Sequence, residues 1–86
     1  MNSTIYKYRL DITNQQVVSM PMGAKFLHAG PDPYGDPCVW YQVMPDDPKI
    51  DHTFFLVGTG NPIPSKAKVH LGSFLMGPLV LHLFSP

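Results

Sequence analysis

Apolar and polar side chains alternate with a period of two over the first part of the chain. The even positions carry the apolar side chains Tyr6, Tyr8, Leu10 and Ile12. The odd positions between them carry the charged side chains Lys7, Arg9 and Asp11. Such alternation puts successive side chains on opposite faces of an extended backbone and predicts a half-buried strand. Gln16 to Met20 predicts a second strand, ended by Pro21, and we expect the two strands to pair as a hairpin.

Further along the chain, Pro and Gly clusters separate short apolar segments. These segments predict five more strands, at residues 24–29, 38–44, 51–57, 68–76 and 79–85. Residues 38–44, 53–57 and 79–84 are apolar on both parities. This pattern is typical of central strands that are covered on both faces, or of strands whose outer face meets a partner.

Composition argues against long helices. The chain contains no Glu, only three Ala, ten Pro and seven Gly, and Pro and Gly both interrupt helices. Residues 63–68 leave room for at most one helical turn. We therefore predict an all-β domain covering residues 1–86, a small antiparallel sandwich or partly open barrel of about seven short strands.

Charge and cysteine content limit the classes of partner. Six basic and six acidic side chains give a formal charge of zero, so we expect neither nucleic-acid nor membrane binding by bulk attraction. Cys38 is the only cysteine, which excludes an internal disulfide and suits a reducing compartment. Residues 1–10 do not resemble a secretory signal, and no apolar run approaches about 18 residues. We expect an intracellular protein.

Several ordered motifs carry a resemblance that covers nearly the whole chain. They are Ile5-Tyr6-Lys7-Tyr8, Met20-Pro21 with Gly23-Ala24-Lys25, Pro37-Cys38 with Trp40, Val57-Gly58-Thr59-Gly60 with Pro62-Ile63, and Gly72-Ser73-Phe74 before an apolar strand. The chain resembles a family of short proteins of unknown function encoded by bacteriophages and prophages. The resemblance implies a phage origin and a host cytoplasm, and it carries no catalytic signature.

The turn Gly58-Thr59-Gly60-Asn61 is the strongest candidate for a ligand loop, because consecutive backbone N–H groups can hold an anion. However, a phosphate loop needs a further Gly and then Lys-Ser/Thr before a helix. Here Pro62 and Pro64 follow instead. We interpret the segment first as a structural turn, and as the wall of a ligand pocket if one exists.

No residue pattern indicates catalysis, a metal or a cofactor. The four histidines, His28, His52, His70 and His82, are spread over separate segments without metal-ligand spacing. His70 and His82 are expected to point outward from neighbouring strands, where they can lie opposite one another. Cys38 is expected in the core, and Asp46-Asp47 in a solvated loop. We therefore predict a protein without enzymatic activity.

Loops 30–37 and 45–52 hold most of the acidic residues. Asp32, Asp36, Asp46 and Asp47, together with the loop aromatic Tyr34, predict a partner-binding surface.

By analogy with small phage proteins such as the anti-CRISPR class, the first functional hypothesis is inhibition of a host defence system by protein–protein contact. The alternatives are a self-associating phage structural or accessory protein, and a small-ligand binding or sequestering protein.

Overall fold

Seven β-strands form in the segments that the alternation and the turn residues predict. The computed structural model describes residues 2–86. Its strands are β1 (Thr4–Arg9), β2 (Gln15–Pro21), β3 (Lys25–Pro31), β4 (Pro37–Val43), β5 (Lys49–Gly58), β6 (Val69–Met76) and β7 (Leu79–Ser85). None of the described residues is helical, so this range contains no helix long and apolar enough to span a bilayer.

The strands form two antiparallel sheets. The three-stranded sheet has the order β1-β4-β3, and the four-stranded sheet has the order β2-β5-β7-β6. The predicted sandwich-like all-β class is therefore confirmed. The strands predicted to be central from their apolar parity, now β4, β5 and β7, are the interior strands of the two sheets.

The hydrophobic core lies between the sheets. Inward residues of β4, including Val39 and Tyr41, contact inward residues of the four-stranded sheet, and the rings of Tyr41 and Phe54 are 6.2 Å apart. The buried members of the core are Leu10, Met20, Ala29, Val39, Tyr41, Val43, Phe54, Leu56, Phe74, Leu81 and Leu83.

The predicted hairpin of the first two strands is wrong. β1 pairs with β4, and β2 pairs with β5, so the chain crosses from one sheet to the other between them. Leu10 enters the core at this crossing. The Gln16 side chain holds the connection, because its amide donates to the Asp11 carbonyl (2.6 Å) and its oxygen accepts from the Asp11 N–H (2.9 Å).

Some local expectations differ from the structure. Residues 49–52 belong to β5 and not to a loop. Residues 63–68, in contrast, agree with the expectation of at most one helical turn, because they contain a single turn, closed by the N–H of Ala67 on the Pro64 carbonyl (3.0 Å). Tyr6, on the apolar parity of the first predicted strand, is 41% exposed, and its strand β1 lies at the edge of its sheet.

Both sheets also bury side chains on the face that points away from the core. Three such residues are Cys38 of β4, next to the core residue Val39, and Phe55 and Val57 of β5, which alternate with core residues of that strand. Cys38, Phe55 and Val57 are buried but lie outside the main core. On the four-stranded sheet, residues 59–68 lie along this outer face and cover part of it. The N–H of Lys68 donates to the Ser85 carbonyl (2.9 Å), which anchors the segment to β7.

Two leucines in neighbouring strands test this division of faces. Leu83 is fully buried and Leu75 is 68% exposed. Leu83→Ala should lower the free energy of unfolding by about 2–5 kcal/mol because it leaves a cavity in the core. Leu75→Ala should change it by no more than about 0.5 kcal/mol. Urea unfolding followed by tryptophan fluorescence measures both, and equal losses would contradict the assignment of faces.

Candidate functional site

The connection between β3 and β4 is a tight, hydrogen-bonded turn, Asp32–Asp36. The N–H of Asp32 donates to the Asp36 carbonyl (2.8 Å), and the N–H of Gly35 donates to the Asp32 carbonyl (2.9 Å). Gly35 has φ of 85°, a conformation that residues with a Cβ adopt rarely. The Pro- and Gly-rich sequence therefore forms one defined backbone conformation and not an irregular loop.

The Asp32 carboxylate stabilises this turn from inside. Its Oδ1 accepts hydrogen bonds from the N–H groups of Tyr34 and Asp36, both at 2.9 Å. Its Oδ2 accepts from Lys7 Nζ at 2.8 Å, and the side chain of Asp32 is only 4% exposed. The Lys7 hydrogen bond and the two backbone N–H groups hold the pKa of Asp32 below its usual value. A buried carboxylate thus ties the turn to β1.

Tyr34 lies at the tip of the turn and is 87% exposed, the most exposed large hydrophobic side chain among residues 2–86. Its backbone is fixed through the Asp32 carboxylate. An exposed aromatic ring on an ordered turn has the geometry of an interface anchor, because little backbone entropy remains to be lost on binding.

The predicted acidic residues do not form one surface. Asp32 is buried and paired, and the Asp36 carboxylate lies 3.8 Å from the Arg9 side chain. Asp46 and Asp47 follow the opposite end of β4, about 20 Å away for a seven-residue strand. The folded chain therefore separates the two acidic loops and neutralises much of the charge on the first.

The Gly58–Asn61 segment is a turn, as its composition predicts. The N–H of Asn61 donates to the Gly58 carbonyl (3.0 Å), and Gly60 has φ of 91°. Beside this turn, a cavity of about 350 Å³ opens on the outer face of the four-stranded sheet. Its lining includes the turn itself and Val57, Ile63, His70, Ser73, His82 and Phe84.

Four of the lining side chains form a hydrogen-bonded chain. Ser73 Oγ lies 2.8 Å from His70 Nε2 and 2.6 Å from His82 Nδ1. His82 Nε2 lies 2.7 Å from Thr59 Oγ1, and Thr59 Oγ1 lies 3.4 Å from the Val80 carbonyl. The strand register produces this arrangement, because Ser73 pairs directly with His82 in the β6–β7 ladder.

His70 and His82 lie on neighbouring strands, as predicted, and their rings are 6.5 Å apart. Ser73, which lies between them, was not predicted. The alternation of β6 and β7 could have indicated Ser73, because Ser73 and His82 both lie on the parity opposite to the core residues of these strands, Phe74, Leu81 and Leu83. His52, expected in a loop, lies in β5 with its Nε2 buried and unpaired among the described residues.

Groups of three or more potential metal ligands are absent from residues 2–86. Cys38 is fully buried, as predicted. Burial raises the pKa of its thiol, which disfavours the reactive thiolate.

A family described as a domain of unknown function, DUF7352, matches residues 1–86. The chain belongs to this family. No curated protein and no solved structure shows significant similarity to it. The resemblance described above is thus confirmed as membership of a family of unknown function that spans the chain, while the bacteriophage origin of this DUF7352 domain and its lack of enzymatic activity stay predictions.

The charge of Asp32 should stabilise this DUF7352 domain in a pH-dependent way. The pKa of Asp32 is lower in the folded chain than the value of about 3.9 expected in the unfolded chain. The ionised carboxylate therefore makes its full contribution to folding stability above the pKa of the unfolded chain. This contribution is lost as the pH falls through the lower pKa of the folded chain. Asp32→Asn keeps an oxygen acceptor but removes the charge. It should lower the melting temperature at pH 7, and the difference from wild type should shrink below about pH 4.

Asp36→Asn is the matched control, because its carboxylate is 45% exposed and 3.8 Å from its partner. An ion pair this long and exposed contributes little to folding stability. Thermal melts of the three proteins between acidic and neutral pH make the comparison. A gap between Asp32→Asn and wild type that does not change with pH would contradict the role assigned to the charge.

Cys38 should be protected from thiol reagents in the folded state, because it is buried and its thiol pKa is raised. Ellman's reagent should label it promptly in urea and only slowly in buffer at pH 8. Labelling at the same rate in both would show that the outer face of the three-stranded sheet is open.

Proposed function

We propose that this DUF7352 domain is a non-enzymatic binding protein that acts by contact with another protein through the Asp32–Asp36 turn. The observation that carries this proposal is the 87% exposure of Tyr34 on a turn whose backbone is held by a buried carboxylate. Tyr is enriched among the residues that dominate binding energy in protein interfaces.

The surroundings of Tyr34 suit the rim of such an interface. Arg9 is largely exposed and Asp36 is half-exposed 3.8 Å from it, while Lys7 keeps part of its side chain exposed beside the turn. Polar, accessible side chains around an aromatic anchor are typical of non-obligate interfaces. Because the charges of the turn are paired, we propose recognition by the aromatic side chain and not competition by an acidic patch.

A host-cell protein is the partner that we propose. The resemblance to phage-encoded proteins supports a site of action in the host cytoplasm, and the small size of the domain resembles that of anti-defence inhibitors. Inhibition of a defence complex, in the manner of anti-CRISPR proteins, is the finer hypothesis that follows. Asp46 and Asp47, at the far end of β4, belong to this proposal only as a separate contact.

Self-association is a second candidate, favoured by one group of side chains. Around the tip of the β6–β7 hairpin, four large apolar residues are between 37% and 68% exposed: Ile12, Leu75, Leu79 and Val80. Apolar surface of this kind, beside the edge strand β6, is suited to contact with a second copy.

Tyr34→Ser tests the first proposal. Tagged wild-type and variant proteins are used to capture partners from a bacterial lysate, and the affinity of any purified partner is then measured by calorimetry. Truncation of an aromatic anchor costs about 2 kcal/mol or more, so binding should weaken more than about tenfold. The exposure of Tyr34 predicts that folding stability is unchanged.

Leu75→Ser is the matched control, because it removes an exposed apolar side chain from the four-stranded sheet. It should leave capture of the partner unchanged. A partner held equally by wild type and Tyr34→Ser would overturn the proposed surface. Recovery of the domain alone, with a wild-type oligomer that Leu75→Ser dissociates in light scattering, would favour self-association instead.

A further inference from the structure

Each sheet ends in two edge strands, and three of these edges carry a feature that discourages pairing with another chain. Strand β1 carries Lys7 and Arg9. Strands β3 and β6 each show a shift in register of the kind that a β-bulge produces. They also lie against one another, since a Cβ on Gly72 of β6 would come within 3.5 Å of the Ala29 Cβ of β3. Charges, bulges and covering elements are the usual protections of sheet edges.

The remaining edge, strand β2, has none of these features. Its residues Gln15–Pro21 include no charged side chain, and its register with β5 continues without a shift over the whole strand. A proline stands only at its last position. A regular, uncharged edge strand is a template for a further strand. Strand β2 is therefore the edge at which we expect pairing between chains.

Hydrogen bonds at the two ends of β2 show which of its backbone groups point away from β5. The N–H of Leu56 donates to the Asn14 carbonyl (3.2 Å), and the N–H of Met22 donates to the Pro48 carbonyl (2.8 Å). Both bonds follow the register of the β2–β5 ladder. Hydrogen-bonded pairs alternate along an antiparallel ladder. The even-numbered residues of β2 therefore bond to β5, and the odd-numbered residues direct their N–H and C=O groups to the open edge.

Local contacts engage this open edge at both of its ends. At the start of β2, the Thr13 hydroxyl donates to the Gln15 carbonyl (3.2 Å). At its end, the N–H of Ala24 donates to the Pro21 carbonyl (3.3 Å), and proline itself has no N–H to offer. The part of the edge that is open to another strand is thus the middle of β2.

Val17 and Ser19 occupy this middle part, and their N–H and C=O groups form no hydrogen bond within residues 2–86. A two-fold axis at Val18 places Val17 of one copy opposite Ser19 of a second copy, and the reverse. Each of these residue pairs exchanges two hydrogen bonds. The symmetric pairing therefore satisfies every one of these free groups.

The side chains around the axis also suit a second copy. Val18 is half-buried and packs against the core, so the pairing sets two Val18 side chains next to each other at the margin of the core. Since β2 has no charged residue, its pairing with itself opposes no like charges. A longer strand from another protein would extend over the carbonyls that Thr13 and Ala24 engage, whereas a second copy of β2 needs only the open part.

We propose that β2 pairs antiparallel with β2 of a second copy and joins the two four-stranded sheets into one continuous sheet. This surface is separate from the tip of the β6–β7 hairpin, which lies at the other edge of the sheet. Tyr34 lies in the connection between β3 and β4, in the other sheet. The dimer therefore leaves both Tyr34 turns accessible and gives the protein two partner-binding surfaces, which raises avidity for a target with repeated sites.

Sedimentation equilibrium of the full chain tests the proposal. Four backbone hydrogen bonds make a small interface, so we expect a weak dimer and a measurement between about 10 µM and about 1 mM. Val17→Lys brings two like charges to diagonal positions across the axis and should raise the dissociation constant of the dimer at least about tenfold. The fold should be kept, because Val17 is 56% exposed.

Ser19→Pro is a second variant that acts on the backbone alone. It removes an N–H that points to the open edge and takes no part in the β2–β5 ladder, a position where an edge strand tolerates proline. Loss of the Ser19 bond in both copies should also raise the dissociation constant about tenfold. In wild type, hydrogen exchange at the Val17 and Ser19 amides should slow as the protein concentration rises.

Val69→Lys is the matched control, because Val69 is 48% exposed at the other edge strand of the same sheet. It should dimerise as wild type does. Tyr34→Ser should also stay dimeric, which separates this proposal from the proposed protein contact.

Three outcomes would overturn the proposal. The first is a wild-type monomer over the whole concentration range, including one whose Val17 and Ser19 amides become protected only with a different protein. The second is a dimer that folded Val17→Lys and Ser19→Pro both retain. The third is a dimer that Val69→Lys or Leu75→Ser dissociates as strongly as Val17→Lys does.

Discussion

Burial of apolar side chains on both faces of the interior strands is the constraint on which the rest of the structure depends. The inner faces of β4, β5 and β7 pack against the opposite sheet. Residues 2–86 form two sheets and no third layer that would cover the outer faces. The connecting segments lie along them instead. Cys38 is buried beside the Asp32–Asp36 turn, and Val57 lies beside the segment that follows β5.

Both candidate sites arise from these covering segments. The Asp32–Asp36 turn is held down by the buried Asp32 carboxylate, so its tip residue Tyr34 projects into solvent on a fixed backbone. The segment that starts at Gly58 rises from the sheet and leaves the His70–Ser73–His82 face open beneath it. Loops that are positioned by a rigid sheet commonly carry function, and here the same loops also shield the sheet.

Electrostatics contributes locally and not through net charge. The twelve charged side chains cancel formally, yet the two ion pairs of the turn differ in kind. Lys7 and Asp32 form a short pair in which the carboxylate is buried and also accepts from backbone N–H groups, while Lys7 stays partly exposed. Arg9 and Asp36 form a long, solvated pair. The clustering of acidic residues along the sequence suggested one binding surface, but pairing partners from β1 and the length of β4 divide it. The positions of the charges along the sequence indicate neither the pairing with β1 nor the separation by β4.

Residue alternation, with Pro and Gly between the segments, determined the strands, the interior position of β4, β5 and β7, a connection within residues 30–37, the turn at 58–61, and the burial of Cys38. The shorter extent of the first connection, residues 32–36, came from the structure. These are properties of local backbone geometry and of apolar parity, which neighbouring residues specify. Only the tertiary structure decided that β1 pairs with β4 instead of β2, that Lys7 reaches Asp32, and that Ser73 joins His70 to His82. Each of these contacts depends on which strands become neighbours and in which register, and residues far apart in the sequence set that choice together, so no single segment encodes it.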